Sequence, residues 1–285
     1  MGILFALTAL FSWGLGDFLI QRSARKFGDW IALFYVTAFS AVLLFPFVYH
    51  DLGSALTNHG PFLWIASGVI LLAALFDFEA LRVGKISIVE PIYALEIPIT
   101  AVLALIVLHE RLSHAQVLLV AFSMIGTFLI STRSFSHFKK IHLEKGIWYA
   151  FIAMIGMGLS SFLFGVGSRA INPLMINWFT SAFMACVSFL YLLATSRLHE
   201  VMNDFQHHKR LIVNMAFFDT LAWVTFSYAC LSIPIAIATS ISEGYIILGG
   251  ALGLVFNREK LKRHQLVGFF LAVVSVIILS IITDT

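Results

Sequence analysis

Apolar residues run along this chain in blocks of about 18–22 residues, separated by short polar or charged stretches. A block of that length, wound as a helix, crosses a hydrocarbon layer about 30 Å thick. Ten blocks recur from end to end, at 2–21, 30–49, 62–82, 86–108, 115–132, 146–168, 173–194, 210–230, 236–256 and 264–282. They predict an all-α polytopic membrane protein with ten transmembrane helices. The first block reads as a span and not as a cleaved leader, because Asp17 interrupts it and no small-residue cleavage site follows.

Composition sharpens the class. The 285 residues are 60% hydrophobic and 12% charged, with 28 Phe, and the mean hydropathy of +0.95 lies far outside the range of soluble domains. Cys186 and Cys230 fall inside apolar blocks, where a small core residue is expected and a disulfide is not. The net charge of +3 matters less than its distribution. All of the 18 Lys and Arg except Arg111 and Arg169 fall in connections on one side of the predicted spans. Positive-inside bias assigns that side to the cytoplasm and both termini to the outside.

The chain also repeats itself. "VLHERLSHAQVLLVAFSMIGTFLIS" (107–131) and "VFNREKLKRHQLVGFFLAVVSVIILS" (255–280) share a helix ending, an acid, a base, a Leu and a Gln. Glu110, Leu112 and Gln116 pair with Glu259, Leu261 and Gln265 at a spacing of 149 residues. Each half then holds five helices, and an odd number makes the second half enter the membrane from the opposite side. The expected organisation is two inverted five-helix repeats, 1–133 and 146–285, joined by a polar, basic cytoplasmic linker at 134–145. Transporters built this way hold substrate near the midplane, between the repeats.

Ten helices in five-plus-five order, "FSWGLGDF" (11–18), the proline-bearing fourth block around Pro98 and "LHERLSHAQVLLVAFSMIGTFLIS" (108–131) together resemble the EamA-type branch of the drug/metabolite transporter superfamily. The resemblance covers essentially the whole chain. It implies a secondary carrier of small metabolites, often outward, by alternating access and without ATP hydrolysis. Two features depart from that pattern. Members usually keep both termini in the cytoplasm, and no proline pairs with Pro98, since the 149-residue spacing lands on Ile247; the latter argues against equivalent kinks in the two halves.

Acids within the spans are the strongest pointers to chemistry, because each costs several kcal/mol near the bilayer centre unless it faces protein or water. At a rise of about 1.5 Å per residue, Glu96, Asp219 and Glu243 fall close to the midplane, while Asp17, Asp77, Glu79 and Glu90 lie nearer the cytoplasmic ends. No Lys, Arg or His occupies the middle of a predicted span. The central acids must therefore carry a proton part of the time, or a positively charged substrate or ion must sit among them. Glu96 and Glu243 are the leading substrate- or proton-binding candidates, followed by Asp219, Asp17 and Asp77. Trp13, Tyr93 and Trp223 share helix faces with Asp17, Glu96 and Asp219, a pairing suited to an organic cation. With Thr100 they are expected to line the pocket. Pro98 lacks an amide proton and frees the Ala94 carbonyl, which makes it a hinge candidate. Glu79 and Arg82, three residues apart, are expected to pair, and "LGGALG" (248–253) to pack helices closely.

Other motifs carry less. "HERLSH" (109–114) has its histidines five apart and offers no metal site, and "HHKR" (207–210) reads as a solvated loop. No phosphate-binding glycine loop, nucleophile elbow or nucleic-acid module is present. The chain is thus read as a non-enzymatic secondary transporter of a bacterial-type inner (plasma) membrane, monomeric or homodimeric and without a cofactor. Its partners are the bilayer, a small cationic or zwitterionic solute and protons. A non-transporting scaffold or regulator, or an intramembrane enzyme, is the alternative.

Overall fold

Pro98 and Gly244 mark where the long apolar blocks fail to become unbroken helices. The computed structural model describes residues 1–84, 92–132, 146–245 and 262–284, and within them every regular element is an α-helix. In chain order these are α1 Gly2–Phe27, α2 Asp29–Val48, α3 Leu52–Val83, α4 Glu96–Val107, α5 His114–Ser131, α6 Ile147–Ala170, α7 Pro173–Ala194, α8 Leu198–Ser232, α9 Ile235–Ser242 and α10 Arg263–Asp284. Seven of them, α1, α2, α3, α6, α7, α8 and α10, are long and apolar enough to cross a membrane. Outward-facing Leu4, Phe11 and Phe18 of α1, seven residues apart, are exposed, whereas Ala6, Ala9, Trp13 and Ile20 are buried. The small residues of the buried face let neighbouring helices approach closely, as in helices packed in lipid, and Trp13 and Ile20 fill the space between them.

The sequence places the helix starts. Asn172 caps α7 by accepting from Leu174 N at 2.7 Å, with Pro173 in the first turn. Ser113 and Gln116 form a capping box at α5, and Gln265 accepts from Lys262 N at 3.1 Å at α10. The repeated Gln is thus a helix-start device. The amide ends of both residues then cross to the partner helix, Gln116 to Thr283 Oγ1 at 3.4 Å and Gln265 to Ile130 O at 2.9 Å. These contacts make α5 and α10 antiparallel.

Every major packing pair joins one helix from residues 1–132 to one from 146–284. The most extensive are α1 with α8, α5 with α10, α2 with α7 and α3 with α6. Exchanging each helix for the one five places away leaves this set unchanged. Cross-pair contacts run antiparallel: Ser181 meets Ser40, Tyr191 stacks on Trp30, and Trp13 meets Trp223 while Lys26 meets His208.

Three features differ from the sequence expectation. Helix α3 begins about ten residues before the predicted span, and α8 includes 198–207, so "HHKR" is helical, with a kink at His208 (φ −129°, ψ 28°). The exposure expected of His207, Lys209 and Arg210 holds. The fourth block is interrupted by a turn at Ala94–Leu95, and the ninth by a turn at Glu243–Gly244. The interruptions are 149 residues apart, so the halves share a break although only one has a proline near it. Pro98 cannot donate to the Ala94 carbonyl, and Gly244 weakens the helix through its backbone freedom. Glu79 pairs with Arg82, whose Nε lies 2.8 Å from Oε2. Glu90, Pro91, Glu259 and 248–253 lie outside the described residues.

Candidate functional site

Glu96 is the first residue of α4, just past the interruption, and is 8% exposed. Its Oε1 accepts a hydrogen bond from Ser161 Oγ of α6 at 2.9 Å. Gly158 allows this approach. A Cβ there would come within 2.8 Å of Ile99 Cγ2 and 3.2 Å of the Glu96 carbonyl oxygen, so the α4–α6 crossing needs glycine. Thr100 Oγ1 donates to Gly158 O at 2.9 Å and fixes the same crossing. Pro98 sits in the first turn of α4, where its missing N–H has no intrahelical bond to lose.

Glu243 occupies the second interruption and is 6% exposed. Its amide donates to Thr239 O at 2.8 Å. The side chain lies within electrostatic range of Glu96, Asp17 and Asp77. Tyr93 OH donates to the Asp77 carbonyl oxygen at 3.4 Å, and its ring position also feels Asp17 and Glu96. Tyr245 lies within electrostatic range of Asp17, Glu243, Glu96 and Asp77. The structure therefore brings four of the five nominated acids together around two tyrosines.

Asp219 stands slightly apart. It interacts with Asp77 and lines a cavity of about 30 Å³, water-sized, together with Thr37, Ser40, Asn177, Thr220 and Trp223. The α1–α8 crossing is close here, since a Cβ on Gly16 would lie 3.6 Å from Asp219 N. Trp13 and Trp223 meet edge to face at 5.2 Å, and Phe164 lies 4.5 Å from Trp223. The two nominated tryptophans thus form one aromatic wall, beside the Asp219 cavity and one turn from Asp17.

Asp17, Asp77 and Asp219 are half-buried. The charged neighbours of Glu96, Glu243 and Asp219 among the described residues are other acids. A cluster of this kind holds together only if protons or a cation reduce its mutual repulsion. No group of three or more His, Cys, Asp or Glu among the described residues is arranged to hold a metal ion.

Ser161 and Tyr245 were not nominated from the sequence, yet a signal for each existed. "GLGDFL" (14–19) and "GLSSFL" (158–163) repeat at a spacing of 144 residues, which sets Ser161 opposite Asp17. At a spacing of 149, Tyr245 corresponds to Glu96. The contact between Glu96 and Ser161 and the proximity of Asp17 to Tyr245 are therefore equivalent, with acid and hydroxyl exchanged between the halves.

No curated protein matches the sequence. A crystal structure of a protein whose name states no function shares 14% identity with a TM-score of 0.76, covering 99% of this chain and 97% of its own. At that identity it shows the fold alone. The profile of the EamA-like transporter family matches residues 1–132 and again 144–281, and these matches take in the interrupted helices and the whole acidic cluster. The chain is a multi-pass membrane protein that belongs to the EamA-like transporter family.

Proposed function

We propose that the protein is a secondary active transporter that moves a small cationic or zwitterionic metabolite or drug by alternating access, as an exporter or exchanger coupled to protons. The observation that carries this reading is the placement of Glu96 and Glu243 beside equivalent helix interruptions, both buried, among further acids and without a basic neighbour among the described residues. Discontinuous helices supply backbone groups at the depth where substrate binds. A carboxylate that takes either a proton or a cationic solute makes the two compete for one site, and that competition links their movements. Tyr93, Trp13, Trp223 and Thr100 serve as lining in this scheme, Asp219, Asp77 and Asp17 as supporting charge, and Pro98 as the hinge.

The ten spans form two inverted five-helix repeats, 1–133 and 146–285, flanking the linker 134–145. The antiparallel pairing of α2 with α7 and of α5 with α10 supports the inversion. In this reading the protein works as a monomer or homodimer in a bacterial-type inner membrane, with the base-rich face in the cytoplasm and both termini outside, an orientation that the charge distribution supports.

The test compares cells with and without the protein in a metabolite and toxic-compound resistance screen, then follows the solute that emerges into vesicles carrying a pH-sensitive dye. Glu96→Gln and Glu243→Gln are expected to abolish coupled movement. Wild-type flux with unchanged pH dependence in both variants would sink the mechanism.

A further inference from the structure

The water-sized cavity beside Asp219 has a wall rich in oxygen acceptors. Helix α2 contributes Thr37, α7 contributes Asn177, Thr180 and Ser181, and α8 contributes Asp219 and Thr220. Most of the protons these side chains carry are already placed. Thr37 Oγ1 donates to Leu33 O at 2.7 Å and Thr180 Oγ1 to Ile176 O at 2.8 Å. Asn177 Nδ2 donates to Pro173 O and to Ser227 Oγ, each at 2.7 Å, and Ser181 Oγ donates to Ser40 Oγ at 3.1 Å. What these groups can still offer is oxygen lone pairs, next to one carboxylate. Thr220 adds an independent sign of a ligand. It is 4% exposed, and its Oγ1 has no hydrogen-bond partner among the described residues, whereas Thr225, further along α8, donates to Leu221 O at 2.7 Å. A buried hydroxyl left so is costly unless something in the cavity meets it.

The cavity also lies on the axis that relates the two halves. At the 144-residue spacing, which aligns the starts of α2 and α7, Val36 pairs with Thr180, Thr37 with Ser181 and Ser40 with Met184. At the 149-residue spacing, which aligns the ends of α3 and α8, Ile70 pairs with Asp219. Both members of every pair line the cavity. Where the first half supplies Val36 and Ile70, the second supplies Thr180 and Asp219, so hydrocarbon fits the equivalent wall and packing does not call for the carboxylate.

We propose that this cavity is a binding site for one monovalent alkali cation, with Asp219 balancing its charge and Thr37, Asn177, Thr180 and Thr220 supplying neutral oxygens. Hard cations take oxygen ligands, and a single carboxylate matches a single charge. A water molecule would meet the oxygens but leave Asp219 charged beside Asp77, its charged neighbour among the described residues. A proton on Asp219 would remove the charge but give the other oxygens nothing. An alkali ion does both, and it joins α2 of the first half to α7 and α8 of the second. The site is separate from the proton and solute chemistry assigned to Glu96 and Glu243 and does not rest on it.

The test measures the melting temperature of the purified protein in sodium, potassium or N-methylglucamine chloride at one ionic strength and pH, together with binding of radioactive sodium. N-methylglucamine is too large for the cavity. Sodium or potassium is expected to raise the melting temperature saturably by a few degrees over N-methylglucamine, and Asp219→Asn to abolish that rise and any sodium binding. Thr37→Val and Thr220→Val keep the side-chain shape and are each expected to weaken ion binding about fivefold; they carry the test should Asp219→Asn fail to accumulate. Glu96→Gln and Glu243→Gln are expected to leave the ion effect in place. Equal melting temperatures in the three salts, as for a cavity that holds only water, would overturn the site. So would stabilisation that follows pH alone, or an ion effect that survives Asp219→Asn or disappears in Glu96→Gln. An Asp219-dependent ion effect in a protein that moves no solute would uphold the site and count against the transport reading, and solute movement without any ion effect would do the reverse.

Discussion

A buried carboxylate whose charged neighbours are also acids is a poor choice for stability, so Glu96 is expected to cost the fold more than it contributes. Glu96→Gln keeps an oxygen for Ser161 Oγ and removes the charge. Its melting temperature is predicted to match or exceed that of the parent, by up to about 1 kcal/mol of stability, while transport is lost. A thermal-shift assay beside a flux assay checks both halves of that statement, and a large fall in melting temperature would mark Glu96 as a structural residue. Ser161→Ala leaves the carboxylate without its hydroxyl and should cost about 1 kcal/mol, read as a drop of a few degrees in the same assay. The acids were legible in the sequence because charge within an apolar block is conspicuous. Ser161 was not, because most serines in apolar helices bond to their own preceding turn, as neighbouring Ser160 does to Gly156 O at 2.8 Å. Only the fold distinguishes the serine that reaches across to another helix.

Hydropathy located most of the helices and missed their ends and breaks, since it records where lipid is tolerated and not where the backbone turns. The extensions of α3 and α8 are helical but polar at their outer turns, and the interruptions at 94–95 and 243–244 lie inside blocks that stay apolar on either side of Glu96 and Glu243, so hydropathy runs across them. Helix contacts were equally hidden, because small residues mark a crossing only once its partner is known. The glycines of this chain can be sorted by that criterion. Gly126 faces the backbone of α10, and a Cβ there would come within 2.7 Å of Ala272 N and 2.8 Å of Gly268 O. Gly158 faces the more yielding side chain of Ile99. Gly68, inside α3, has nothing within 4 Å of such a Cβ. The expected order of stability in detergent follows: Gly68→Ala equal to the parent or better by about 0.5–1 kcal/mol, Gly158→Ala lower by about 1–3 kcal/mol, and Gly126→Ala lower still because backbone cannot step aside. Equal melting temperatures for Gly68→Ala and Gly126→Ala would contradict the α5–α10 packing described above.

The two halves look like separable units in the sequence and are not separable in the fold. Repeats are visible because "GLGDFL" returns as "GLSSFL" and the Glu-Leu-Gln pattern of 110–116 returns at 259–265. Nothing in either pattern shows that α1 pairs with α8, or α3 with α6. The main buried cluster accordingly mixes residues of both halves, among them Ile31, Leu63, Ile97, Met175, Ile176 and Phe226. A half made alone would present those inward faces to lipid without the small-residue crossings and interhelical bonds that hold them together. Splitting the gene within the polar stretch 133–145 is therefore predicted to give two fragments that fail to accumulate singly. Made together, they should copurify through a tag on either one and recover most of the activity of the intact chain. Independent accumulation of residues 1–140 as a monodisperse species would instead mean that its five helices bury their own faces, a packing incompatible with the most extensive helix pairs all crossing between the halves. Copurification with activity would show that the covalent linker contributes little beyond raising the local concentration of one half for the other.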